Sequence, residues 1–271
     1  MRGEILDFYN YLVLKGRSRD TAYQNARYIY HFLNWAKKAG REVTREDILR
    51  YLTYLRDVLK YNDSTISNIC YTISQFMEYL GKHETAMWVP RPTPKWREAE
   101  WLPEEVISRV IRRHIVLRVA YELALRVSEV LLLKRSEYNR ETGVITVYRL
   151  KHKGKPNKYV LKLSDEARRL LNEYLDKNVC PDDRMFCMSR KKIQQIFKRA
   201  LARSGLDPSK YTFHVLRHSR CTNIIIKQLR ERGVADLVTV AKFMGHLDPK
   251  TTMTYIHIAS KYLGRELPVE V

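Results

Sequence analysis

Residues 214–255 carry side chains that together can bind a phosphodiester and attack it. The stretch begins HVLRHS, contains FMGH and ends TTMTY, and its reactive groups are His214, Arg217, His246 and Tyr255. A phenol with a pKa near 10 is ionised in only about one molecule in a thousand at neutral pH, so Tyr255 needs help to act as a nucleophile. A phosphodiester under attack also gathers negative charge, which guanidinium and imidazole groups stabilise. The pattern therefore requires a second arginine and a proton donor elsewhere in the chain.

Composition favours a polyanionic partner for this chain of 271 residues. Lysine and arginine number 50 against 30 aspartate and glutamate, which gives a formal charge of +20 and a pI near 9.8. The excess is spread along the chain, and nucleic acid is the commonest partner of such proteins. The 18 tyrosines can face sugars and phosphates. A solvated basic surface, or adaptation to internal salt, is the alternative interpretation.

The cysteines and the N-terminal segment bear on cofactors and compartment. The four cysteines, Cys70, Cys180, Cys187 and Cys221, lack the paired spacing of a zinc site. Because no signal-peptide pattern precedes them, we expect buried thiols, no metal and a reducing, cytoplasmic location. The apolar start of the chain is broken by Asp7 and Asn10 and cannot span a bilayer. We expect no membrane partner.

Apolar residues recur every three or four positions from residue 2 to about residue 80, which predicts four amphipathic helices in a small bundle. Its exposed cations, among them Arg27, are candidates to bind a phosphate backbone, although lone surface cations commonly serve solvation. Three alternate prolines within residues 89–95 exclude a helix and predict an extended linker. We therefore expect an N-terminal DNA-binding domain at 1–88, a linker at 89–100 and a catalytic domain at 101–271.

The second part of the chain begins with a predicted helix from residue 104 to about residue 133. Arg126 lies there among apolar neighbours, with Glu129 three residues later on the same helical face. A buried structural ion pair is the competing interpretation. Residues 143–148 and 158–163 predict a β-hairpin, and Lys153 near its turn can reach a phosphate, although hairpin lysines are usually solvated.

A further predicted helix, residues 189–204, has an apolar face and a polar face. Its polar side chains include the types that contact base edges in a major groove, and the candidates are Lys191, Gln194, Gln195 and Lys198. This is our candidate recognition helix, and a plain surface helix is the alternative.

Taken together in order, these sequence features resemble the tyrosine recombinase (integrase) family, most closely its Xer-type members. The matching residues are RVSE at 126–129, KGK at 153–155, HVLRH at 214–218, GH at 245–246 and Tyr255 after a pair of threonines. The resemblance covers essentially the whole chain. It implies a mainly helical fold with a small antiparallel sheet, in which a four-helix, SAM-like core-binding domain precedes an α+β catalytic domain. The segment between Arg217 and Gly245 is several residues longer than usual.

The resemblance also implies roles for individual side chains. Tyr255 would be the nucleophile, Arg126, Arg217 and His246 would bind the non-bridging oxygens, and Glu129 would orient this set. His214 would accept the proton of the phenol, and Lys153 would protonate the leaving 5'-oxygen, with Lys155 as the alternative. No metal or nucleotide cofactor is implied, because one phosphoester replaces another.

The implied partners are double-stranded DNA with a paired recombination site and three further copies of the chain. The C-terminal tail of each copy, which ends in the apolar residues 267–269, would dock on a neighbour. The resemblance leaves open an accessory activator and the choice between dimer resolution and integration. Two other functions fit fewer of the features: a type IB topoisomerase that relaxes DNA, and a non-catalytic DNA-binding regulator.

Overall fold

A computed structural model describes residues 2–93, 100–149, 157–245 and 250–264, with only the backbone at residues 2, 250 and 251. The chain forms two compact units, Met1–Arg97 and Glu98–Val271. Its described residues are mostly helical, with one two-stranded antiparallel sheet. The predicted fold class is confirmed.

The described residues of the first unit form five helices and one 3-10 turn, and side-chain caps fix where several of the helices begin. The helices are α1 (Arg2–Leu14), α2 (Arg19–Ala36), α3 (Arg45–Asp57), α4 (Asp63–Tyr79) and α5 (His83–Trp88). Ser18 caps α2, and Thr44 forms a capping box with Asp47 at the start of α3. One apolar core joins the helices, and within it Phe8 packs edge to face on Phe76.

The fifth helix was not predicted, and it lies directly before the predicted linker. Six residues are too few for the helical repeat of apolar positions to stand out, yet α5 places Ala86 in the core. Ser74 donates a hydrogen bond of 2.6 Å to the Ala86 carbonyl. Val89, the first residue of the predicted linker, is also buried in this core, and Arg91 donates to the Ser74 hydroxyl. Residues 94–99 of that linker lie outside the described residues.

The second unit packs its helices around the hairpin and one long central helix. Its elements are α6 (Glu104–Ile111), α7 (Ile115–Glu122), α8 (Val127–Val130), β1 (Val144–Arg149), β2 (Asn157–Lys162), α9 (Asp165–Lys177), α10 (Arg190–Arg203), α11 (His214–Arg232), α12 (Leu237–Met244) and α13 (Lys250–Leu263). The first turn of α11 contributes Val215 and Leu216 to one apolar cluster, and its later turns contribute Cys221 and Ile225 to another. This helix therefore links the two cores of the unit.

The helical segment predicted over 104–133 is divided, because the chain forms three short helices there. Ala124 has a φ of 50°, in the left-handed region, which ends the helical path after α7. The predicted hairpin is confirmed: β1 and β2 are antiparallel, with Val144 opposite Lys162 and Arg149 opposite Asn157. Its turn, residues 150–156, lies outside the described residues.

The expectation of four free thiols is wrong for one pair. Cys180 and Cys187 form a disulfide, with their Cα atoms 5.6 Å apart, in the loop before α10. Sequence spacing did not indicate it, because the loop is held by backbone hydrogen bonds to residues far away in sequence, from Arg135 to Asp183 and from Met185 to Leu133. Cys70 and Cys221 are buried free thiols, as expected.

Across the described residues, no helix has both the length and the apolar character that a bilayer span requires.

Gly40 provides a test of the first core. A Cβ atom there would lie 2.7 Å from the ring of Phe76, which is fully buried, and 2.6 Å from a carboxylate oxygen of Glu4. We expect Gly40→Ala to lower the free energy of unfolding by about 1–3 kcal/mol, the usual cost of overpacking a core. Urea unfolding followed by circular dichroism measures the change.

Gly3→Ala is the matched control. Gly3 lies in α1, and an added Cβ would meet no atom within 4 Å. Alanine is the better helix former, so this variant should be neutral or slightly more stable. Equal stability of the two variants would contradict the packing described at Gly40.

Candidate active site

A glutamate and an arginine predicted from the sequence meet at the start of α8. Arg126 precedes this helix, and its Nη1 lies 2.7 Å from Oε1 of Glu129. The backbone N–H of Arg126 donates to the other carboxylate oxygen at 2.9 Å. Glu129 is fully buried, whereas the Arg126 side chain is 17% exposed. The pair therefore holds one guanidinium at the rim of a buried site.

Arg217 brings a second guanidinium from α11 to the same carboxylate. It is 1% exposed, and its Nη1 lies 3.8 Å from Oε2 of Glu129. The guanidinium donates to the Ala124 carbonyl at 2.6 Å and to the Met244 carbonyl. Burial, reinforced by the charges of Arg126 and Arg149, lowers the pKa of Arg217 to about 9, which leaves it protonated at neutral pH.

A third arginine, Arg149 at the end of β1, was missed by sequence reasoning. It is fully buried, and its Nη1 donates to Oε2 of Glu129 at 2.9 Å. It also donates to the carbonyls of Leu123, Ala124 and Phe243. The available signal was the alternation of the strand, which turns residue 149 inward after Ile145 and Val147.

The electrostatics of the site follow from this cluster of three guanidiniums around one carboxylate. Burial disfavours the charged form of Glu129, but Arg149 and Arg126 outweigh it and hold the pKa of Glu129 below its ordinary value. One carboxylate offsets only one of the three positive charges. The remaining excess makes the site suited to an anion such as a phosphodiester.

Tyr255 lies in α13 and reaches a histidine that was not among the predicted site residues. The phenol oxygen is 2.6 Å from Nδ1 of His218, and Tyr255 is only 4% exposed. Burial and the nearby Cys221 raise the pKa of Tyr255, while Arg217 and Arg126 oppose that rise. His214 packs edge to face on His218, with ring centroids 4.4 Å apart. The signal for His218 was its place one helical turn after His214.

Two predicted site residues fall outside the described residues. They are Lys153, together with its alternative Lys155, and His246. Their neighbours in sequence are placed: Arg149 ends β1 four residues before Lys153, and Gly245 directly precedes His246. The structure thus brings together Arg126, Glu129, Arg217 and Tyr255, and it adds Arg149 and His218.

The predicted DNA-contacting residues lie on both units. Lys191, Gln194 and Gln195 are exposed on α10, and Arg27 is exposed on α2. Lys198 differs, because its ammonium donates to the carbonyls of Pro208 and Tyr211 and is half-buried. The expectation that Lys198 faces outward is wrong, since the loop after α10 folds over that side chain.

A metal site was not expected, and among the described residues no cluster of three or more histidine, cysteine, aspartate or glutamate side chains is arranged to hold a metal ion.

The contact between His218 and Tyr255 predicts a pH dependence of stability. Burial and the charge of Arg217 lower the pKa of His218 to about 4, whereas a histidine in an unfolded chain titrates near about 6.5. The unfolded state therefore binds this proton first as the pH falls. As the pH falls from about 6.5 to about 4, we therefore expect the free energy of unfolding to decrease, by up to about 1.4 kcal/mol per pH unit.

Urea unfolding at a series of pH values measures this slope. In His218→Gln, which cannot take up the proton, the slope should become smaller. His31→Gln, at an exposed position of the first unit, is the control and should keep the slope. An unchanged slope in His218→Gln would refute a neutral, buried imidazole.

Comparisons with known proteins agree with this geometry. Residues 100–261 match the phage integrase family, and residues 5–87 match the phage integrase N-terminal SAM-like domain. Tyrosine recombinase XerA of Pyrococcus furiosus is 28% identical, over 97% of this chain and 92% of that protein. Tyrosine recombinase XerA of Saccharolobus solfataricus is 24% identical, over 96% of this chain and 89% of that protein.

Among solved structures, a lambda integrase tetramer bound to a Holliday junction has the same fold. Its TM-score is 0.72 at 15% identity, over 98% of this chain and 79% of the lambda integrase chain. The match to the phage integrase family covers more than half of the present sequence. The chain therefore belongs to the phage integrase family and is a tyrosine recombinase of the Xer type, an enzyme that transfers DNA strands.

Proposed function

We propose that this recombinase cleaves and rejoins DNA at a specific site through a 3'-phosphotyrosyl intermediate and a Holliday junction, and that it resolves dimers or integrates DNA. The observation that carries the proposal is the position of Tyr255 beside a buried cluster with excess positive charge. Arg217 and Arg126 act electrostatically on its phenol. This proximity supports a site in which a nucleophile and an anion-binding group act together.

In the first step, the phenol oxygen of Tyr255 attacks the scissile phosphorus. A bond forms between that oxygen and phosphorus, and the bond from phosphorus to the 5'-oxygen breaks. Arg126 and Arg217 donate hydrogen bonds to the non-bridging oxygens, and His246 adds a third donor. Glu129 keeps the guanidiniums in place. Because Tyr255 is buried against His218, α13 has to shift before the phenol reaches the phosphate.

Two proton transfers accompany the attack. The phenol loses its proton to an imidazole, for which His214 is the sequence-predicted acceptor. His218 is a second candidate, because its Nδ1 lies 2.6 Å from the phenol oxygen and its low pKa keeps it neutral. Lys153 supplies a proton to the departing 5'-oxygen. One phosphoester replaces another, so the 5'-hydroxyl of a partner strand can reverse the step.

DNA and three further copies of the chain are the proposed partners. Lys191, Gln194 and Gln195 on α10 contact bases or phosphates in the major groove, and Arg27 on α2 contacts the backbone. The lambda integrase structure holds a tetramer on a Holliday junction, and we extend that assembly to this chain. The exchanged C-terminal tail, residues 265–271, lies outside the described residues.

Covalent trapping tests the nucleophile. Nicked duplexes of pooled sequence are incubated with the protein without metal, then denatured and scored for attached protein. We expect an adduct with the wild type and none with Tyr255→Phe, which lacks the attacking oxygen but retains DNA binding. Sequencing of the trapped DNA identifies the site.

Tyr262→Phe is the matched control on the same helix. Tyr262 is 46% exposed, and its ring packs edge to face on Trp101, a contact that phenylalanine keeps. Its adduct yield should equal that of the wild type. Tight binding without an adduct on any sequence would favour the DNA-binding regulator, and relaxation of supercoiled DNA by a monomer would favour the topoisomerase.

The anion-binding role of Arg126 has its own test. Arg126→Lys keeps the charge but loses the two-pronged donor, and we expect the single-turnover cleavage rate to fall about a hundredfold, the usual effect of removing one transition-state donor. Arg169→Lys is the control, because Arg169 is exposed and pairs with Glu173 on the surface of α9. A fall in DNA affinity alone, at an unchanged rate, would contradict the role of Arg126 in the transition state.

A further inference from the structure

We propose that Arg149 is a positioning residue of this active site. Through one buried guanidinium it fixes the end of strand β1 against the turn that holds Arg126 and against the end of α12. With the end of β1 fixed in this way, the proton is delivered correctly to the leaving 5'-oxygen. This proposal rests on the function proposed above.

Arg149 contacts three separate segments of the chain. Its Nη2 donates to the carbonyls of Leu123 and Phe243, both at 2.9 Å. Its Nη1 donates to the Ala124 carbonyl at 3.1 Å and to Glu129 at 2.9 Å. The side chain therefore joins β1 to the α7–α8 turn and to the last turn of α12, and it does so without any exposure to solvent.

The packing around the stem of Arg149 is equally tight. A Cβ atom on Gly245 would lie 3.0 Å from Cγ of Arg149 and 3.3 Å from its Cδ. Gly245 also has a φ of 64°, which favours glycine. The glycine thus allows the backbone that leads to His246 to lie directly on the arginine stem.

The two other arginines also have contacts that do not involve Arg149. Arg126 is hydrogen-bonded to Glu129, and Arg217 is hydrogen-bonded to the carbonyls of Ala124 and Met244. The described part of strand β1 ends at Arg149, and the pair of Arg149 with Asn157 is the last of the described ladder. We therefore expect loss of Arg149 to loosen this end of β1 more than it loosens the arginine pair.

The sequence connects this strand end to proton transfer. Lys153, the predicted acid, follows Arg149 by four residues. A shift of β1 therefore disturbs the step in which the 5'-oxygen takes up a proton. Because Arg149 is buried, its loss should leave DNA affinity unchanged.

The test uses the DNA site recovered by trapping, in two forms. One carries the normal bridging 5'-oxygen at the scissile phosphate, and the other carries sulfur in that position. When Tyr255 attacks the second form, the phosphorus–sulfur bond breaks and a thiolate leaves. Thiols titrate near about 8.5, so the thiolate departs without the proton that an alkoxide needs.

With Arg149→Met we expect cleavage of normal DNA to slow about a hundredfold, the scale that a misplacement of about 1 Å brings. Cleavage of the sulfur-containing DNA should stay within about threefold of the wild type, because no general acid is needed. DNA affinity, measured by gel shift, should not change. Thermal unfolding shows whether the variant is folded at the assay temperature.

Arg118→Met is the matched control for loss of a buried arginine. The Arg118 side chain is 13% exposed, pairs with Glu122 and Glu166 and has, like Arg149, a buried Nε without a hydrogen-bond partner. Its cleavage should be equal to that of the wild type on both DNAs. If Arg149→Met does not fold, Arg149→Lys replaces it, because lysine keeps a positive charge beside Glu129 yet cannot bind all three segments.

Each remaining outcome overturns the proposal. Equal slowing on both DNAs would show that Arg149 acts through the arginine pair or on the fold as a whole. No slowing, or the same slowing in Arg118→Met, would show that its position has no special effect. Absence of any adduct with the wild type would refute the proposed function, and this proposal with it.

Discussion

The candidate active site depends on one buried carboxylate. Glu129 is fully buried and lies within 2.9 Å of both Arg126 and Arg149, with Arg217 at 3.8 Å. A buried charge is costly unless it is paired and hydrogen-bonded, and three guanidiniums in one interior repel one another. Glu129 reduces that repulsion, and backbone carbonyls accept hydrogen bonds from the terminal nitrogens of Arg149 and Arg217. The cluster keeps an excess of positive charge, which a phosphodiester can then compensate.

The backbone at Ala124 is shaped by the same need to pair the buried guanidiniums. The carbonyl of Ala124 accepts hydrogen bonds from both Arg149 and Arg217, and Ala124 has the left-handed conformation that alanine rarely adopts. That conformation costs about 1–2 kcal/mol, which the two charge-assisted hydrogen bonds offset. It also separates α7 from α8, so that Arg126 emerges at the rim while Glu129 points inward. The broken helix is thus a consequence of the charge cluster.

Spacing along the chain predicted most of the fold and part of the site. Arg126, Glu129, Arg217 and Tyr255 lie in short patterns whose helical spacing or order could be recognised, and the hairpin was indicated by alternation and turn residues. Arg149 was missed because an arginine at the end of a strand usually faces solvent, although the alternation along β1 indicated an inward position. The Cys180–Cys187 bond and the contacts of Lys198 were missed because loop folding, which local pattern does not encode, brings their partners together.

The burial of Tyr255 against His218 explains how the reactivity of its phenol can depend on where the ring lies. In the contact with His218, burial and Cys221 raise the pKa of the phenol, while Arg217 and Arg126 oppose that rise. A displacement of α13 that moves the ring out of its pocket removes the burial that raises the pKa. If the ring then approaches the arginines, they lower the pKa further, since Coulomb attraction of the phenolate grows as the distance falls. The same movement therefore exposes the phenol that we propose as the nucleophile and lowers its pKa.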